Sequence, residues 1–445
     1  MVKVFIKTFG CSHNFADSEE MSSYLIQAKY EVEGLDDFRK ESDEEIIKKS
    51  DIIIYNTCTV KNPSDDKFFS LLKKTKKPVI LAGCIPQSQQ EEEWLKNYSA
   101  IGVDNLDLID EVVKKTLEGK IIHRLNKKTS FEKRELPLIR RNKFIAIIPI
   151  LEGCLGACTY CKTKHARGHL KSYPLKIIIN QIRKAKNTGA KEVWLVSEDN
   201  GAYGKDINSS FPELLNEISK IIINNDESER EEENRTKLKI RVGMLNPEYA
   251  FEYRKELGEI LKQKQFYKFL HIPIQCADNE VLKEMKRPYT IEECKETFDY
   301  LKKEIPEITI ATDIICGFPT ETEEQFEKTM DFVKEQEFTV INISKFYPRP
   351  KTPAAKMKLL PTDKVKRRSK KLSDWFSSIN FNKDYEGLTV SALFTEKGKY
   401  EGSFIGKTDN YRNVIVKTDK NILGKELLVK IKTTTRDDLR GELLK

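Results

Sequence analysis

The sequence predicts a mixed α/β protein in three parts: a parallel α/β sheet domain, a TIM-like partial barrel of βα units, and a small antiparallel β-barrel of OB-like style. Three observations carry that expectation. Apolar runs of strand length alternate with amphipathic runs of helix length from Val2 to about Ser378. A polar, basic stretch containing Pro137 divides this alternation in two. After Ser378 the pattern changes to short strands separated by regular Gly turns.

In the first part the predicted strands are VKVFIKTF, DIIIYNTC and PVILAGC, and the predicted helices are SEEMSSYLIQ, DDKFFSLLKK and a segment from Gln89 to Leu95. This is the grammar of a parallel sheet. Residues 126–143 read as a linker. The second α/β run places strands at FIAIIPIL, EVWLVSE, KIRVGML, FLHIPIQ, ITIATDIICGF and FTVINISKFY, most followed by a helical stretch such as LKIIINQIRKAKN. The last part, GLTVSALFTEKG, YEGSFIGKTDNYRNVIVKT and LGKELLVKIKTT, reads as the small barrel. The expected boundaries are 1–125, a linker 126–143, 144–380 and 381–445. No internal repeat is evident.

With 445 residues, of which 39% are hydrophobic and 33% charged, the chain has the composition of a soluble globular protein. Its longest apolar stretch, Phe144 to Leu151, is far too short to cross a bilayer, so no membrane association is expected. The N-terminus reads as a strand without the order of a secretory signal, and the chain is expected to start near Met1 in the reducing cytoplasm. A net charge of +8 permits nucleic-acid binding without demanding it. Basic clusters at Lys73, Lys74, Lys76 and Lys77, at 127–143 and at 364–371 are each read first as solvated faces and second as an RNA footprint. The acidic tract 226–233 reads as a solvated loop. Nine cysteines in such a compartment call for metal ligation or burial rather than disulfides.

Cys154, Cys158 and Cys161 fall within eight residues, on a loop directly after a predicted strand, with Gly153 and Gly156 letting the backbone wrap closely. Three thiolates hold three irons of a 4Fe–4S cubane and leave the fourth open to an exogenous ligand. A zinc site with His165 as fourth ligand is the alternative. Cys11, Cys58 and Cys84 each follow the C-terminal end of a predicted strand, the edge where open α/β sheets gather their ligands, so three remote thiols can converge there. Any one of them alone reads as a buried small hydrophobe. Cys276, Cys294 and Cys316 have no such partners in sequence and are read as structural.

At these residues the chain resembles the radical S-adenosylmethionine (SAM) methylthiotransferase family, in its archaeal and eukaryotic tRNA branch. FGCSHN, NTCTVKNPSDD and LAGCIPQ match the family's auxiliary-cluster domain, and GCLGACTYCKTKHARG its radical SAM loop. VSEDNGAYG, GMLNP, HIPIQ, MKRPYT, DIICGFPTET and YPRPKTPAAKM follow in the family's order, and the C-terminal barrel resembles the TRAM RNA-binding domain. The resemblance implies two 4Fe–4S clusters, one on each cysteine triad. SAM serves as both methyl donor and radical source. The implied reaction places a methylthio group on C2 of N6-threonylcarbamoyladenosine at position 37, in the tRNA anticodon loop, and an electron donor protein supplies the reductant.

The resemblance also assigns contacts. Ser197, Glu198 and Asp199 would bind the SAM amino group or ribose, and Asn246, Gln275 and Asp313 would meet SAM or substrate. The alternative for each is a polar cap on a barrel strand. Arg167 would contact the SAM carboxylate or cap the cluster; its alternative is a surface ion pair. No catalytic residue is expected beyond the cluster ligands. Asn200, His169 and Lys351 depart from the branch pattern, where Thr, Glu and Gly are usual. The membrane tail of some eukaryotic relatives is not seen after Lys445, which favours a soluble protein, and an RNA platform within one chain favours a monomer. Rival readings are a methylthiotransferase acting on a ribosomal-protein aspartate or on isopentenyladenosine, and, from another class, a non-catalytic RNA-binding or iron–sulfur carrier protein.

Overall fold

The computed structural model describes residues 1–35, 41–59, 62–126, 139–227 and 238–444, so most of the predicted linker and of the acidic tract lie outside the described residues. The chain packs as two units. The first comprises residues 1–155, 161–185 and 196–198, and the second residues 156–160, 186–195 and 199–445. No described helix is long and apolar enough to cross a membrane.

The first unit is built on a six-stranded parallel sheet. Its strands are β1 (Lys3–Thr8), β2 (Glu31–Glu33), β3 (Ile52–Thr57), β4 (Val79–Gly83), β5 (Ser99–Ile101) and β6 (His123–Arg124), in the order β2-β1-β3-β4-β5-β6. Registers such as Val4↔Ile52 and Ile54↔Ile80 set β-branched side chains beside one another. Because successive side chains of a strand point to opposite faces, a strand covered on both sides must be apolar throughout. The central stretches of β1, Val4–Ile6, and of β3, Ile52–Tyr55, have that composition. Val4, Ile6, Ile52, Ile54 and Ile80 pack against Met21, Leu25, Ile109 and Val112. Phe5, Ile53, Tyr55 and Leu81 pack on the other face against Phe68, Leu72 and Leu95.

Two local differences from the sequence expectation bear on function. The first helix, α1 (Ser12–Gln27), starts immediately after Cys11 rather than at Ser18. Its first turns carry His13, Asn14 and Asp17, polar residues that lie outside the predicted helix but are buried here. The predicted helix from Gln89 to Leu95 is replaced by a short helix Cys84–Ser88, which puts Cys84 at its start, and a 3-10 turn Glu93–Asn97.

In the second unit the parallel strands run through Glu192↔Lys239, Phe269↔Thr309 and Ala311↔Val340. A bridge Met244↔His271 joins the first of these pairings to the other two. The C-terminal strands Thr389–Lys397, Ser403–Lys407, Asn413–Lys417, Lys425–Thr434 and Leu439–Leu443 close into a barrel. Its pairings are antiparallel except for one parallel contact, Val414↔Leu439, where the sequence pattern predicted a purely antiparallel barrel. The barrel docks at the N-terminal ends of the parallel strands. Asp409 pairs with Lys239 and Lys268, the latter at 2.9 Å, and Thr309 donates to the carbonyl of Asn410.

Candidate metal centres and the residues around them

Cys11, Cys58 and Cys84 are brought together at the C-terminal edge of the first sheet, around one amide. The Cys11 thiol donates to Asn14 Oδ1 at 3.5 Å, and Asn14 Nδ2 lies 3.8 Å from Cys84 Sγ while also donating to the carbonyl of Thr57. Asn56 holds the turn from behind by donating to Asn14 O at 2.7 Å. The glycines preceding Cys11 and Cys84 are required: a Cβ on Gly10 would lie 2.3 Å from Asn14 Oδ1, and Gly83 has φ +87° with Asn56 Oδ1 2.2 Å from its would-be Cβ. The Cys11 thiol is lowered to about 6 by its contact with Cys58, then by the charges of Arg167 and His13. Cys11 also stands at the N-cap of a 16-residue helix, where the helix dipole favours a thiolate. Cys84 is fully enclosed, and burial pushes its thiol up to about 12. One exposed thiolate-forming cysteine beside two buried ones fits a sulfur-ligated iron cluster with an open side.

Directly beneath this triad lies a buried charge network. Arg167 is 2% exposed. Its guanidinium meets Asp17 at 2.5 Å, Glu152 at 2.8 Å and Glu198 at 3.1 Å. His13 Nε2 meets Glu152 at 2.7 Å, and its Nδ1 is 3.1 Å from Glu198. Burial and Arg167 press the imidazole towards neutrality, but the two flanking carboxylates outweigh them and raise its pKa well above the ordinary value. His13, Glu152 and Glu198 have ligand atoms within 4.8 Å of one another. However, the two ring nitrogens face different carboxylates, and Arg167 already occupies both acids. That is the geometry of an imidazole bonded to Glu152 through Nε2, with Glu198 near its other nitrogen, rather than of a metal ligand, which would need both acids on one nitrogen's side.

Of the loop cysteines, the first unit carries Cys154 and Cys161 and the second carries Cys158. Cys154 N donates to Gly168 O at 3.3 Å, and Cys161 precedes the short helix Thr163–Arg167, which delivers Arg167 to its acids. His165, the candidate fourth zinc ligand, is exposed on that helix. In the second unit Cys158 Sγ lies 3.4 Å from Arg287 Nη1. None of the nine cysteines, all of them among the described residues, forms a disulfide. Cys276, Cys294 and Cys316 are buried, each with its thiol pushed up by burial.

The remaining site candidates divide between the units. Ser197 is half-buried in the first, and Glu198 belongs to the Arg167 network there. In the second, Asp199 Oδ2 accepts from Asn246 Nδ2 at 2.6 Å and its Oδ1 from Asn246 N at 3.0 Å. Burial raises Asp199 to about 7. Asp313 accepts from His271 at 2.8 Å and Asn342 at 2.7 Å. Gln275, in the left-handed region at φ +65°, donates its backbone N–H to the carbonyl of Asp313. Sequence reasoning missed His13, Asn14, Asp17, Glu152 and Arg287. The signal available was the helical spacing of Asn14 and Asp17 next to Cys11, and an arginine inside MKRPYT.

Comparison with known proteins adds a framework to this geometry. Uncharacterized protein family UPF0004 matches residues 3–102, Radical SAM superfamily matches 148–333 and TRAM domain matches 383–444. The fold is also similar to that of the radical S-adenosylmethionine methyltransferase TsrM from Kitasatospora setae, with TM-score 0.57, 12% identity, and 80% of this chain and 74% of that one covered. The cobalamin-dependent radical enzyme OxsB gives 0.51 at 15% identity, covering 83% of this chain and 56% of that one. Fold and matches together define a radical SAM enzyme. A Drosophila melanogaster protein named threonylcarbamoyladenosine tRNA methylthiotransferase is 39% identical over 99% of this chain and 78% of its own length. The human protein of that name is 39% identical over 99% and 74%. A Pyrococcus horikoshii protein with that name qualified as probable is 36% identical over the full length of both. This chain belongs to the threonylcarbamoyladenosine tRNA methylthiotransferase family.

Proposed function

We propose that this chain places a methylthio group on C2 of N6-threonylcarbamoyladenosine at position 37 of tRNA, using one 4Fe–4S cluster held by Cys154, Cys158 and Cys161 and a second held by Cys11, Cys58 and Cys84. The observation that carries the reading is the second thiol set gathered around Asn14, separate in the chain from the radical SAM loop. A radical enzyme that only abstracts hydrogen needs no such set; one that delivers sulfur does. When bound, the clusters and SAM supply the radical, the methyl group and an open iron for sulfur.

The chain's own residues do the rest. Asn14 holds Cys11 and Cys84 in register, and Gly10 and Gly83 leave the space a side chain would fill. Asp199 and Asn246 present a fixed, buried acceptor–donor pair to the polar groups of SAM, with Gln275 and Asp313 of the same unit as further contacts. Arg167 acts from below, by fixing the first helix to the segment after Cys161, rather than by touching SAM. The domain limits are those of the sequence reading, 1–125, 144–380 and 381–445. A cytoplasmic monomer receives electrons from a donor protein and binds the anticodon loop with help from the C-terminal barrel.

The test is anaerobic reconstitution with iron and sulfide, then incubation with SAM, reductant and tRNA carrying threonylcarbamoyladenosine, followed by mass spectrometry of the nucleosides. The 2-methylthio nucleoside is the expected product. Methylthiolation of isopentenyladenosine tRNA or of a ribosomal-protein aspartate instead would overturn the substrate assignment.

A further inference from the structure

Arg287 is a buried cation in contact with a sulfur. Its side chain, in the turn after the helix Asn279–Glu284, is nearly enclosed. Three of its nitrogens are spent: Nε donates to Tyr289 Oη at 2.8 Å, Nη2 to the carbonyl of Pro273 at 3.0 Å, and Nη1 to Cys158 Sγ at 3.4 Å. Tyr289 is itself fixed, donating to Ile274 O at 2.9 Å. The partner is held as firmly. Thr159, next to Cys158, donates its N–H to Met285 O at 3.1 Å and its hydroxyl to Glu284 O at 2.9 Å, and its carbonyl accepts from Ala354 N at 2.9 Å.

A guanidinium stays charged at any accessible pH, and a buried charge is costly unless a counter-charge meets it. None of the three acceptors around Arg287 is a carboxylate, and one of them is the Cys158 sulfur; the carboxylates of Asp199 and Glu248 act on the guanidinium without bonding to it. Hydrogen bonds to ligand sulfurs, together with local positive charge, favour the reduced form of an iron–sulfur cluster, which holds one more negative charge.

We propose that Arg287 is a positioning residue that clamps Cys158 and raises the reduction potential of the cluster bound there. The inference rests on Cys158 being a cluster ligand. The electron itself comes from an external one-electron reductant, such as a reduced flavoprotein or dithionite; Arg287 only makes its arrival easier.

The test is a redox titration followed by electron paramagnetic resonance on the reconstituted full chain, in a Cys11→Ala, Cys58→Ala, Cys84→Ala background so that one cluster titrates. Arg287→Met is expected to shift the midpoint to more negative potential by about 59 mV, a tenfold change in a one-electron equilibrium. Arg287→Lys, which keeps the charge but not the fork, is expected to shift it less. An unchanged midpoint in Arg287→Met with full iron content would overturn the proposal. If that variant fails to load iron, Tyr289→Phe decides: it frees the Nε clamp, so a negative shift supports the proposal and an unchanged midpoint overturns it. Cys158→Ala in the same background separates the two claims, because retention of the cluster signal there would sink the ligand assignment instead.

Discussion

At Arg167 one guanidinium, with the His13 imidazole beside it, meets three buried carboxylates, and this fixes what its loss would do. Removing one member of a buried ionic cluster leaves the others uncompensated in a poorly solvated interior, typically at a cost of about 3–5 kcal/mol. Arg167→Met is expected to lose stability of that size in urea unfolding; a loss below about 1 kcal/mol would show that the network relaxes. Asp199 gives a pH signature. Its folded pKa, raised to about 7 by burial, exceeds the ordinary 3.8. Its favourable contribution is therefore complete below pH 3.8 and is lost as pH rises through 7. Asp199→Asn is expected to gain stability relative to the parent between pH 5 and about 8, a trend that urea titrations across that range check. That Cys11, Cys58 and Cys84 gather at one sheet edge was legible because each follows a predicted strand. The Arg167 network was not, since Asp17 and Arg167 lie 150 residues apart and a buried ionic side chain looks like a surface one in sequence.

Elements were readable in proportion to their length. β4 and the apolar centres of β1 and β3, Val4–Ile6 and Ile52–Tyr55, announced their strands, whereas β2, β5 and β6, of three residues or fewer, carry too little periodicity to register. The start of α1 was misplaced because burial of polar side chains against the cysteine triad overrode the amphipathic pattern. Docking of the C-terminal barrel was likewise invisible, because it depends on a turn. Tyr411 sits at φ +65° and packs its ring 4.8 Å from Tyr267 and 4.9 Å from Phe269, with Arg241 5.4 Å over it. Truncating a buried aromatic costs about 3–5 kcal/mol. Tyr411→Ala is expected to loosen the barrel, exposing the segment before it to limited proteolysis and weakening tRNA binding in a gel-shift assay. Unchanged cleavage and affinity would mean that the Asp409 ion pairs alone hold it.

On the scale of the whole molecule, the alternation of strands and helices and its change after residue 378 were enough to foresee a parallel sheet, further βα units and a terminal barrel. The packing into two units was not foreseen. It cuts through the cysteine loop itself, with Cys154 and Cys161 in one unit and Cys158 in the other. In the proposed function each triad has a separate task, with radical generation at the loop and sulfur delivery at the sheet edge. The most direct test quantifies 5'-deoxyadenosine and the methylthio nucleoside in the same anaerobic reaction for the parent, Cys158→Ala and Cys11→Ala proteins. Both products are expected from the parent, neither from Cys158→Ala, and 5'-deoxyadenosine without the methylthio nucleoside from Cys11→Ala. Methylthio nucleoside from Cys11→Ala at the parent's level would contradict this division of tasks.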